Sequence, residues 1–141
     1  MKTIIGSVMF VGLMICPSPQ PLLAQACQDE EEMVKTSLKD LTDLVGAVKK
    51  ETATDFQNHY HQKSYLSKAT FLVSVVGGLI DCLEKAAQDS TATKEQVESY
   101  KAKHQAYAKL KGKVEEEKNA VSSTKDANKA KALIEKSELS T

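Results

Sequence analysis

The 141-residue chain is long enough for one domain, and it balances 19 lysines against 19 acidic residues without a single arginine. Zero net charge leaves no bulk field to draw the chain onto nucleic acid. The lack of arginine removes the usual bidentate clamp for phosphate or carboxylate.

The first 26 residues have the grammar of a secretory signal, with Lys2 as the charged start and residues 3–16 as an apolar run of leader length. That run is shorter than the roughly 20 residues a spanning helix needs, and Pro17, Pro19 and Pro21 end it. Ala24 and Ala26 flank Gln25 in the small-x-small pattern that a signal peptidase accepts, which places cleavage before Cys27. A lipid-modified Cys27 would want a small or hydroxyl residue two positions earlier, where Gln25 stands. Residues 27–141 are thus expected to form a single domain, exported to an oxidising compartment and without a stable membrane span after cleavage. Cys16 leaves with the leader, so Cys27 and Cys82 allow a single intramolecular pairing, and a disulfide between them is expected over two free or intermolecular thiols.

Beyond residue 26 there is no proline and no tryptophan, and strong helix formers dominate without any alternating strand pattern. The expected fold is all-α: a small antiparallel bundle of three long helices with a weak C-terminal helix and one disulfide. A first helix is expected from about Asp29, capped there with Glu32 three residues on, and ending at residues 50–53. Its core stripe is Val34, Leu38, Leu41, Val45 and Val48, widened by Leu44.

Thr54 and Asp55 are cap candidates for a second helix over residues 56–88, with an interruption near residues 59–64. Residues 71–80 (FLVSVVGGLI) are apolar almost all round, which predicts a central helix covered on more than one side. Lys68 and Asp81 bound that run, which argues against a membrane span. Gly77 and Gly78 each cost about 1 kcal/mol relative to alanine in a helix, and with Ser74 they suggest close helix packing.

A third helix opens at a Thr93/Gln96 capping box and carries Val97, Tyr100, His104, Tyr107, Val114 and Val121 in a near-heptad stripe, with Leu110 at its edge. Residues 122–124 interrupt it. A fourth, weaker helix is expected over residues 125–138, with Ala127, Ala130, Leu133 and Ile134 on one side. In an antiparallel hairpin, residues equidistant from the turn come opposite each other. The midpoint of Cys27 and Cys82 falls between Thr54 and Asp55, where the caps put the turn.

No constellation for catalysis is legible. His59 and His61, two apart on one helix, would point about 200 degrees from each other and could not share an ion, so they are expected on solvated surface. His104 lies at the edge of an apolar stripe. An enzyme would require His104, Tyr100 or Tyr107 to be buried with a carboxylate around an open pocket. No nucleophile elbow or phosphate loop is present. Glu30 to Glu32 and Glu115 to Glu117 are expected on solvated helix surface. Of the lysine-rich run 101–113, Lys101, Lys109 and Lys113 share an outer arc, while Lys103 and Lys111 turn towards the apolar side. No N-linked glycosylation sequon occurs.

These features predict no cofactor, no metal and no nucleic-acid partner. The expected function is non-enzymatic binding of an extracellular macromolecule, most simply a protein, as an inhibitor, ligand or structural component. The alternative is carriage of a lipid or other apolar ligand beside residues 71–80. Oligomeric state is not legible.

Overall fold

The computed structural model describes residues 22–139, with side chains from Cys27 onward. The expected leader therefore lies outside the described residues, except for the backbone of 22–26. Among the described residues there are five helices and no strand: α1 (Leu22–Val48), α2 (Ala53–Asn58), α3 (His61–Gln88), α4 (Lys94–Ser123) and α5 (Ala127–Glu135).

The α1 stripe is buried as its spacing predicts, with Val34, Leu41 and Val48 at 0% exposure. The helix begins earlier than expected, at Leu22 instead of Asp29. Residues 22–26 are Leu, Ala and Gln, so nothing after Pro21 stops a helix from propagating back, and the Asp29/Glu32 pair lies within it.

The corner after α1 also differs from expectation. Thr52, not Thr54 or Asp55, is the cap: its Oγ1 accepts from the Asp55 backbone N–H at 3.1 Å and donates to Asp55 Oδ2 at 2.6 Å. The predicted interruption is a sharp break at His59–Tyr60, where Tyr60 takes up a left-handed conformation (φ 53°, ψ 33°). That costs an L-residue about 1–2 kcal/mol. Phe56, 1% exposed, pins α2 to the bundle.

α3 runs through the middle, packed lengthwise by α1 on one side and by α4 on the other. Leu72, Val76 and Leu79 are fully buried, so the inner side of the apolar segment is consumed by the core. By length and composition α3 could cross a membrane, its most apolar 18-residue window having a mean hydropathy of 1.6, with 33% of that window buried in the bundle. Cys27 and Cys82 form the expected disulfide, with Cα atoms 5.7 Å apart, and tie the start of α1 to the later part of α3. A tie of this kind is consistent with an oxidising compartment.

α4 opens with both hydrogen bonds of the Thr93/Gln96 capping box. Tyr107, Leu110, Val114 and Val121 are buried, but Val97, Tyr100 and His104 are only partly so. The reason is α5, which packs against α2, α4 and the other helices at the far end, so that among the described residues the start of α4 has no fourth neighbour. Asp126 caps α5, accepting from the Asn128 and Lys129 N–H groups. Ala130 and Ile134 are buried, whereas Leu133, expected on the same side, is 39% exposed. Gln62 Nε2 donates to the Val121 and Thr124 carbonyls, both at 3.0 Å, closing the end of α4.

Candidate functional site

Two places bring chemically useful side chains together, and a third presents an apolar surface. The first is the corner between α1 and α3. Glu51, in the turn after α1, reaches both histidines that flank the left-handed Tyr60. His59 Nδ1 is 3.0 Å from Glu51 Oε1. His61 Nε2 is 3.0 Å from the same oxygen and 2.8 Å from Oε2, with the better-directed hydrogen bond to Oε1. The imidazoles meet edge to face, their centroids 5.5 Å apart.

The expectation that these histidines diverge rested on their sharing one helix. They do not: His59 follows α2 and His61 begins α3. The φ reversal at Tyr60 between them turns both rings to one side. Glu51 was not singled out from the sequence at all, because its part depends on a corner that periodicity does not describe. The spacing E-x7-H-x-H is the only trace of it. Partial burial pushes the Glu51 carboxyl up, but hydrogen bonds and charge from His59 and His61 outweigh this and hold it below the usual range.

The second place is a groove of about 420 Å³ at the end of the bundle that α5 does not reach, lined by Leu83, Glu84, Ala87, Tyr100, Lys101 and His104 among others. Tyr100 and His104 do line an open pocket with a carboxylate, but both are half-buried and Glu84 is exposed. Tyr107 is buried elsewhere, its hydroxyl hydrogen-bonded to Glu31 and its pKa pushed up to about 12 by burial and by that carboxylate.

Each expected surface cluster turns part of its charge inward. Glu117 Oε2 accepts from Tyr65 Oη at 3.2 Å and from Ser137 Oγ at 2.5 Å, joining α3, α4 and the chain after α5. Glu31 is gripped by Lys103 at 2.7 Å and Lys35 at 3.1 Å, so Lys103, while still exposed, reaches across to α1. Glu30 Oε2 is buried as well.

Burial would raise the Glu31 pKa, but the hydrogen bonds and charges of Lys103 and Lys35 outweigh it and leave the carboxyl below its usual range. A lowered pKa in the folded state contributes stability above the unfolded value, and that contribution fades as pH falls through the folded one. Glu31→Gln should therefore lower the urea midpoint at about pH 7 and make progressively less difference as the solution is acidified towards about pH 3. An equal deficit at both ends would refute the linkage.

The third place is the outer face of α3, where Phe71 is 56% exposed and Ser67, Ser74 and Gly78 are exposed on the same stripe. Among the described residues, the close packing expected of the glycines is not found. A Cβ built at Gly78 would meet only the Glu30 carboxylate at 3.7 Å, and one at Gly77 only Lys111 Nζ at 3.8 Å. Comparison with known protein families, with curated proteins and with solved structures gives no match to this chain.

Proposed function

We propose that the chain is an exported, non-enzymatic protein that presents the outer face of α3 to a helical segment of an extracellular protein. The observation that carries this is the state of residues 69–80, which contain no charge, lie on the central helix and expose Phe71 beside Ser74 and Gly78. The glycines weaken the helix by about 1 kcal/mol each and relieve no close contact among the described residues. Small residues let a second helix come close, since the distance between helix axes follows the side chains at the contact. The rim is polar, as at protein interfaces: Lys68 and Asp40 lie 3.9 Å apart beside Phe71.

Export rests on the leader-like residues 1–26, and the disulfide is in keeping with it. Cleavage after Ala26 would leave α1 starting at Cys27, two residues from the start expected at Asp29. Carriage of an apolar ligand is the second reading, supported by the 420 Å³ groove beside Leu83 and Tyr100, a size that suits a small molecule. That groove lies beyond the 71–80 segment, whose inner side is already filled.

The test places a photoreactive residue at Ser74 and, as a control, at the exposed Lys109 of α4, and follows crosslinking to proteins of the extracellular fluid. A discrete crosslinked protein is expected from position 74 only. Gly78→Leu should abolish that crosslink while keeping the helical circular-dichroism signal, because a Cβ there makes only an ordinary contact and leucine favours helix. Equal crosslinking from both positions, or a crosslink indifferent to Gly78→Leu, would count against the reading.

A further inference from the structure

We propose that Glu51, His59 and His61 form a binding site for a borderline divalent transition-metal ion of the zinc class, which would clasp the end of the α1–α3 hairpin opposite the disulfide. The nitrogen and oxygen donors of the three residues all lie within 4.8 Å of one another. Two of the three separations, His59 Nδ1 and His61 Nε2 to Glu51 Oε1, are 3.0 Å. Bonds of about 2.1 Å to zinc place adjacent ligand atoms about 3.0 Å apart in octahedral and about 3.4 Å apart in tetrahedral geometry, so small shifts admit an ion.

The donor set selects the class of ion. Two imidazoles and one carboxylate suit zinc, and also copper and nickel, while magnesium and calcium prefer oxygen throughout. Three protein ligands leave a coordination position for water. On binding, the protons that His59 Nδ1 and His61 Nε2 donate to Glu51 leave those nitrogens, whose lone pairs then face the metal. Each metal-bound ring carries one proton, on its other nitrogen, and any further proton is released to solvent.

The fold supplies part of the organisation. The left-handed turn at Tyr60 sets both rings on one side, and Phe56, buried and 6.2 Å from the His61 ring centroid, backs the inner histidine. Strain of this sort gathers where a constellation must be held. Among the described residues His61 Nδ1 is buried without a hydrogen-bond partner, so they do not supply the outer support that orients most metal-bound histidines. Such support is worth about 10–100-fold in metal affinity, so the site is expected to bind more weakly by about that factor than one with both rings supported.

The experiment titrates the oxidised full chain with zinc, with magnesium as the comparison ion, by calorimetry and thermal denaturation. One zinc per chain is expected, with a rise in thermal midpoint of about 10 °C at a hundredfold excess over the dissociation constant. Magnesium should do neither. His59→Ala and His61→Ala should each weaken zinc binding at least tenfold, while His104→Ala should bind like the parent. His59 is largely exposed, so its variant retains the helical circular-dichroism signal and its loss reports the ligand, not the fold. A parent that binds no zinc would overturn the proposal, as would histidine variants that bind zinc as the parent does.

Discussion

Replacing Cys27 and Cys82 together with alanine should lower the free energy of unfolding by about 2–5 kcal/mol, seen as a lower urea midpoint with little change in the folded circular-dichroism spectrum. The bridge spans 55 positions, and closing a loop of that length in the unfolded chain is worth about 4 kcal/mol on the chain-entropy account. In the folded state, Val34, Leu41, Leu72 and Val76 remain to hold α1 against α3. The loss is therefore expected on the unfolded side of the equilibrium, where the tether limits the ensemble. An unchanged midpoint would mean that the bridge contributes nothing to stability, and would leave the two stripes to set the hairpin alone.

Phe56→Ala should cost a similar amount, about 3–5 kcal/mol, for a different reason. Phe56 is the buried residue of α2, a helix of six residues that is far too short to hold its shape without a tertiary anchor. Removing the ring opens a cavity beneath the corner and takes away the wall behind His61. Amide hydrogen exchange should show the effect as local: residues 51–61 should lose protection while the middles of α3 and α4 keep theirs relative to the lowered global stability. Uniform loss across the chain would show that α2 unfolds only with the whole bundle. A midpoint within about 1 kcal/mol of the parent would show that the corner repacks around the missing ring.

How far the fold was legible is best seen by comparing two stripes. In α1, the residues at helical spacing from Val34 to Val48 are all buried, because α3 and α5 supply neighbours along the helix. In α4 the same kind of spacing succeeds from Tyr107 to Val121 and fails from Val97 to His104, since α5 ends before it can cover them. Periodicity marks which face of a helix is apolar; it carries no information on whether a neighbour reaches that face. Leu133 and Phe71 are exposed for the same reason, although each lies in an apolar pattern.

The corner between α1 and α3 was harder still. The hairpin arithmetic centred it near residue 54, and α2 occupies that position, but the cap is Thr52 and the break is at Tyr60. A left-handed tyrosine is locally unfavourable, so local preference argues against it, and only contacts made elsewhere, such as the burial of Phe56, hold it in place. The candidate metal ligands follow from that one residue. On an unbroken helix His59 and His61 diverge, and Glu51 has no reason to join them.

What the sequence determined by itself were the properties that are local or combinatorial. The helical class follows from composition and the absence of any breaker after Pro21. The core stripe of α1 follows from its spacing, the start of α4 from a capping box, and the disulfide from having two cysteines and one way to pair them. The tertiary structure alone decided the convergence of Glu51 with His59 and His61, the inward turn of Glu31 and Glu117, and the exposure of Ser74 and Gly78. Each of these depends on which helix stands beside which, a sum of weak contacts between residues far apart in the chain. No window of sequence contains that sum.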